Sequence, residues 1–154
     1  LATALVAAMP AQAQNAGQIR QARGGASCPG CNLFQADMSG AELRGRNYAH
    51  ARLRQADLSM SVMNGTRFTG ADLRDVEAYA GVFTGASFAG ANLTNASFVG
   101  TYLQGANFSG AVLEGTNFSG AEMDRATGLS QGQLSRACGD QATRLPRGLS
   151  IRPC

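Results

Sequence analysis

Few residues in this chain have types and spacings that chemistry requires. Cys28-Pro29-Gly30-Cys31 has Cys-x-x-Cys spacing, which suits a redox dithiol, half of a metal site, or a structural disulfide across a Pro-Gly turn. Cys138 and Cys154 form a second pair near the other end. His50 is the single histidine, so any hydrolase triad would have to use it as base. Arg44, Arg46, Arg52, Arg54 and Arg74 form a basic cluster of the kind that holds an anion or an acidic surface. All thirteen basic residues are Arg, set against ten acids.

What these groups can do depends on the elements that carry them, and one periodicity governs most of the chain. From Cys31 to Arg125 a large apolar residue returns every five positions with a small one two places before it, as in Ala36-Asp37-Met38-Ser39-Gly40 and Ala106-Asn107-Phe108-Ser109-Gly110. Nineteen consecutive pentads follow this rule. Eighteen of their centres are Leu, Phe, Met or Tyr48, and the exception is Ala78. The small position is Ala in eleven. A period of five matches neither a helix nor a straight strand. It fits a chain that runs extended for about three residues and then turns.

The closing position supports the turn, being Gly in eleven pentads, because the third position of a type II turn needs a positive φ. Four such corners close a coil of twenty residues, so residues twenty apart should stack. The centres at 33, 53, 73, 93 and 113 are all Leu, and those at 48, 68, 88 and 108 are Tyr, Phe, Phe and Phe. Gln35, Gln55, Asp75 and Asn95 share one outward column, where amides are placed to hydrogen-bond from coil to coil.

These residues resemble the pentapeptide-repeat family, whose pattern is Ala, Asp or Asn, Leu or Phe, any, any. The resemblance implies an all-β fold, a right-handed quadrilateral parallel β-helix (a pentapeptide-repeat solenoid), here with a short C-terminal capping helix. Residues 1–13, apolar and then Ala11-Gln12-Ala13, are expected to be the end of a signal peptide whose basic start precedes Leu1. Residues 14–27 hold almost no large apolar group and are expected to be a disordered lead-in. The β-helix is assigned to 28–125 and a capping helix with a disulfide-pinned tail to 126–154. In that tail, Ser130-Gln131-Gly132-Gln133 reads as a capping box. Tails with one cysteine after a short helix and another at the terminus resemble those of exported members of the family.

On this scaffold the candidate chemistry narrows. Redox dithiols sit at a helix N-terminus, whereas a β-coil follows Cys31. The two cysteine pairs lie at opposite ends of about five coils spaced by roughly 4.8 Å, too far apart to share one tetrahedral zinc. We therefore expect disulfides Cys28–Cys31 and Cys138–Cys154, no metal, no cofactor and no catalytic residue. The second disulfide closes a loop worth about 3 kcal/mol in the chain-entropy model. His50 falls at an outward corner, and the carboxylates are outward and separate, with nothing to tune their pKa.

Some members of the family imitate DNA and protect type II topoisomerases, which requires dense negative charge along the rod. Here only the column Asp37, Asp57, Glu77 qualifies, and no charge occurs from Ala78 to Leu113. Nucleic-acid binding would want aromatic partners among the arginines, and only Phe34 and Tyr48 are near. No later segment has the roughly 20 apolar residues of a membrane span. The expected role is a non-enzymatic interaction or structural module in the periplasm or outside the cell. Its partner is a second copy or another protein, and its contact patch is Met60, Val62, Tyr79, Val82, Val99 and Tyr102. Val62, Val82 and Tyr102 share one column, bracketed by Glu42 and Glu122, and Tyr79 and Val99 share the next. A contiguous apolar patch rimmed by charge marks a contact surface.

The register itself is testable by adjacent substitutions. Leu73→Asp buries an unpaired charge in the stack and should abolish the cooperative melt, whereas Arg74→Asp should cost about 1 kcal/mol or less. Equal losses in thermal denaturation followed by circular dichroism would show the five-residue register to be wrong.

Overall fold

A computed structural model describes residues 13–154. The expected signal-peptide segment therefore lies outside the described residues, except for Ala13. The body of the molecule is a coil in which residues twenty apart pair in parallel along four ladders. The first ladder runs Asn32, Arg52, Asp72, Asn92, Val112 and the second Asp37, Asp57, Glu77, Ser97, Asn117. The third runs Glu42, Val62, Val82, Tyr102, Glu122, and the fourth Asn47, Arg67, Ser87, Asn107, Thr127. The pairing consists of isolated bridges and not of long strands, because each face offers only about three extended residues before the chain turns.

The turns explain the pentad. Every fifth residue from Gly30 to Gly120 has positive φ, twelve of them Gly and seven not: Gln35, His50, Gln55, Met60, Asp75, Ala80 and Asn95. At the corners, the one before Arg46 excepted, the amide of the next residue in the small position donates to the carbonyl of the preceding centre, as from Ala36 to Leu33 at 3.0 Å. The central amide and the corner amide donate forward to the next coil, as from Leu33 to Arg52 and from Gln35 to Arg54. The residue before each centre donates back, as from Arg52 to Cys31. One backbone N–H per pentad remains, on the residue after the centre. Where Asp or Asn precedes the centre, its side chain accepts that N–H: Asp37 from Ser39, Asp57 from Ser59, Asn92 from Thr94, Asn107 from Ser109. This is the physical reason for the Asp/Asn position, since the short carbonyl reaches an otherwise unpaired donor.

Every centre from Leu33 to Met123 is buried. Tyr48, Phe68, Phe88 and Phe108 stack face to face, with centroids 5.9, 5.3 and 5.2 Å apart. The small centre Ala78 has a counterpart in Phe83, whose ring lies against Gly81. A Cβ added at Gly81 would fall 2.5 Å from that ring. Phe83 also reaches Phe68, Phe88 and Phe98 at 6.3, 5.9 and 5.6 Å. Arg46, standing where a small residue belongs, is exposed, and the coil does not bulge: Arg67 N–H still donates to its carbonyl at 2.8 Å.

The lead-in corrects the expectation of disorder. Helix α1, Ala16–Arg23, is capped by the Asn15 side chain, which accepts from Gln18 N–H, and carries Arg20 and Arg23 in its last turn. It forms because it has a surface to dock on: Ala22 is fully buried and Ile19 packs on the core. Gln18 Oε1 accepts the Asn32 N–H at 2.7 Å and Ser27 Oγ that of Asn47 at 3.0 Å, so two of the first coil's open donors are filled. The Tyr48 hydroxyl donates to Ala22 O at 3.3 Å, and burial pushes its pKa up to about 12. The coil also begins one pentad before Cys31, at Ala26-Ser27-Cys28-Pro29-Gly30. Cys28 and Gly30 donate to Asn47 O and Ala49 O of the next coil.

At the other end, helix α2, Gln131–Leu134, has the expected capping box between Ser130 and Gln133. The Gln133 side chain also donates to Phe108 O and Ala111 O, and Leu134 is buried. Beyond it the tail adds a partial layer, pairing Cys138 with Asn117, Arg144 with Glu122, and Pro153 with Gly139.

Two neighbouring residues should respond in opposite directions. Ala80 holds φ 54, a conformation Gly adopts without cost, so Ala80→Gly should stabilise by about 0.5–1 kcal/mol. Gly81→Ala should destabilise by about 1–3 kcal/mol through overpacking against Phe83. Urea denaturation of both variants checks the signs.

Candidate functional site

Cys28 occupies a centre position and Cys31 the small position after it, so the turn brings them within bonding range. They are bonded, with Cα atoms 5.4 Å apart, and are 2% and 8% exposed. The Cys31 N–H donates to Cys28 O at 3.3 Å, so the disulfide spans a hydrogen-bonded corner. Neither sulfur stands at a helix N-terminus, and burial denies a substrate thiol its approach. The geometry is that of a staple at the head of the coil.

Cys138 and Cys154 are bonded as well, with Cα atoms 4.7 Å apart. Cys154 is exposed, and the strand it ends is held otherwise by a few hydrogen bonds: Gly139 N–H to Arg152 O, Cys154 N–H to Gly139 O, and Arg152 Nε to Ala137 O. Asp140 ties the same layer down, accepting from Gly120, Ala142 and Thr143 N–H. Those donors, the Gly120 N–H first, hold its carboxyl below the ordinary carboxylate range.

The remaining reactive types are dispersed. His50 is an exposed corner residue with φ 58, its ring over Gly70 of the next coil. Among the described residues no group of three His, Cys, Asp or Glu is placed to hold a metal ion. In the same residues no helix is long and apolar enough to cross a membrane. The arginine cluster is largely matched by acids. Arg74 pairs with Asp72 at 2.6 Å, Arg54 with Asp75 at 3.2 Å and Arg44 with Glu42 at 3.5 Å. The Arg74 guanidinium holds the Asp72 carboxyl below its usual range. Such pairs on a surface are worth about 0–1 kcal/mol each. In the column Gln35 to Asn95, Gln35 Nε2 donates to Gln55 Oε1 at 3.0 Å, and Asp75 instead serves Arg54.

One surface differs. Met60, Tyr79 and Tyr102 are 61%, 54% and 47% exposed. Val62, Val82 and Tyr102 are successive rungs of the third ladder, with Glu42 and Glu122 the next rung on either side. Tyr79 and Val99 belong to the adjoining column, joined through its backbone to the corner residues: Met60 N–H donates to Tyr79 O and Ala80 N–H to Val99 O. The six residues thus form a strip that wraps one edge between the second and third faces. Sequence reading missed Val112, 47% exposed on the first face, although its place in an outward column was legible.

A family model described as pentapeptide repeats matches in eight copies, over residues 36–75 and 82–120. It passes over the stretch around Ala78 and Gly81. Among solved structures, a pentapeptide repeat protein from the thylakoid lumen of Arabidopsis thaliana is 27% identical, covering 60% of this chain and 57% of its own, with a TM-score of 0.36. HetL, a pentapeptide repeat protein involved in heterocyst differentiation regulation in the cyanobacterium Nostoc, is 24% identical over 83% of this chain and 65% of its own, TM-score 0.37. A trypsin-treated form of QnrB1, a plasmid-mediated fluoroquinolone resistance protein, is 21% identical over 80% and 76%, TM-score 0.42. The chain thus spans less than two thirds of the length of the first two. No curated protein matches it.

The two disulfides should separate under mild reduction. With a graded dithiol and alkylation of the native protein, Cys138 and Cys154 should be labelled first, and Cys28 and Cys31 only as the coil melts. Peptide mapping reads the order, and simultaneous labelling of all four would contradict the difference in access.

Proposed function

The chain belongs to the pentapeptide-repeat family, whose model covers more than half of its residues, and from that premise we propose that it is an exported, non-catalytic scaffold that binds another protein. The observation that carries this reading is the strip of Met60, Tyr79 and Tyr102, three of the four exposed large apolar side chains among the described residues, gathered at one edge while the fourth, Val112, stands apart on the first face. Large aromatic anchors dominate contact surfaces. Export to the periplasm or beyond is supported by two disulfides, which persist in oxidising compartments. The coil is taken to be the family's right-handed quadrilateral β-helix, with the tail pinned by Cys154 as the exported type's terminal cover. A non-enzymatic role accords with reactive groups that sit apart, outward and hydrated.

A thiol redox role for Cys28 and Cys31 has burial against it. The DNA-mimicking role draws on the acidic rungs Asp37, Asp57 and Glu77, which give way to Ser97 and Asn117. Those carboxylates also turn back onto the amides of Ser39, Ser59 and Tyr79.

A photo-crosslinking residue at position 102, compared in cells with one at Thr94 on the first face, tests the reading. A discrete adduct from 102 alone is expected. Equal labelling from both sites, or none, overturns the binding role. Inhibition or protection of gyrase in a supercoiling assay would favour the mimic instead.

A further inference from the structure

The faces that carry the apolar strip also carry an excess of acid. The second and third faces hold six acids, Asp37, Asp57, Glu77, Glu42, Glu122 and Asp124, against two basic residues, Arg44 and Arg125. The first and fourth faces hold Arg46, Arg52, Arg54, Arg67 and Arg74 against three acids, Asp72, Asp75 and Glu114. Arg23 from α1 reaches Asp37 at 3.6 Å, Arg44 reaches Glu42 at 3.5 Å across an exposed pair, and Arg144 from the tail reaches Asp124 at 3.9 Å, so the acids are offset towards the two ends of the rod. Across the middle, Asp57 and Glu77 stand on the column beside Tyr79, and the strip itself has no charge. A low, uncharged ridge bounded by carboxylates on its flank and at both its ends is the complement of an apolar stripe edged by cations.

A second copy of this chain does not fit that complement. Packed side by side with parallel axes, the strip would set Glu42 against Glu42 and Glu122 against Glu122; packed antiparallel, it would set Glu42 against Glu122. Like charges across an interface oppose association. The strip is also small. Three rungs at roughly 4.8 Å and two faces of three residues at about 3.3 Å give roughly 300 Å², against roughly 800 Å² per partner in a stable protein interface. An area of that order accommodates one amphipathic segment.

Resting on the binding role above, we propose that the strip around Tyr79, Val82 and Tyr102 receives a cationic amphipathic segment of another protein, with apolar residues on the strip and Lys or Arg beside Glu42, Glu77 and Glu122. The carboxylates steer and orient the segment, and the two tyrosines anchor it. Binding is therefore salt-sensitive, and two kinds of substitution weaken it.

The test is fluorescence anisotropy of the full chain with a labelled synthetic helical peptide of Leu and Lys on opposite faces, beside a peptide of the same composition scrambled to remove the apolar face. The amphipathic peptide should bind about tenfold more tightly than the scrambled one. Tyr79→Ser with Tyr102→Ser should remove that difference, and Glu77→Gln with Glu122→Gln should weaken binding and flatten its salt dependence. Both pairs lie on the surface, and an unchanged melt shows the fold intact. Equal binding of the two peptides, or binding indifferent to the tyrosines, overturns the proposal. So does self-association in sedimentation that the tyrosine variant abolishes, or tyrosine-dependent binding to vesicles of anionic phospholipid. If the peptide fails while a crosslinker at 102 still captures a protein, the cationic class falls and the binding role stands; if both fail, both fall.

Discussion

A left-handed backbone conformation at every fifth residue is the constraint on which the molecule rests. The corner sends the chain onto the next face, and only a corner at each fifth position lets the backbone amides of one coil meet the carbonyls of the next. Twelve of the corners are Gly, for which this conformation is free. The other seven, Met60 and Ala80 among them, hold it against a local preference of about 1–2 kcal/mol each. They are held because a corner that relaxed would misalign its hydrogen bonds to the neighbouring coil.

The same hydrogen-bonded stack creates two open ends, and the flanking segments answer them by different means. At the head, side chains substitute for a missing coil: Gln18 and Ser27 take amides that a preceding turn would have taken. At the foot, backbone does most of the covering, with Cys138 and Arg144 pairing to the last coil and the Gln133 amide filling two carbonyls. Unpaired ladder edges invite addition of foreign strands. Each cap is tied by a disulfide, buried at the head and partly open at the foot.

The coil was legible in the sequence because five-residue spacing leaves few architectures, and stacking at twenty followed from Leu33, Leu53 and Leu73 without any structure. At Arg46 the sequence left two outcomes open, a bulged coil or an outward side chain, and the kept pairing to Arg67 decides for the second. The reason for Asp37 or Asn92 was not: it lies in a backbone amide left over by the coil's pairing, which the pattern records without explaining. Helix α1 was missed because its residues look disordered alone; burying Ala22 and Ile19 requires the coil beneath. The extra pentad could have been found, since Ala26, Cys28 and Gly30 keep the register, but a cysteine at the centre disguised it. Ala78 looked like a lapse, and the matching signal was Gly81, whose missing Cβ admits Phe83. Of the candidate site, the columns were legible and the exposures were not, because exposure depends on how far neighbouring side chains lean over.

Four faces repeating at twenty residues also set a grammar for change in length. Gain or loss of a whole coil lengthens or shortens the rod and leaves every side chain on its own face. Gain or loss of one pentad keeps the core intact but turns everything beyond it by a quarter of a revolution. A single pentad inserted between Val82 and Tyr102 would carry Tyr102 to another face and break the column while the fold survived. Descent by duplication could therefore have varied the length of this molecule freely in steps of twenty, and in steps of five only at the expense of whatever its aligned faces do.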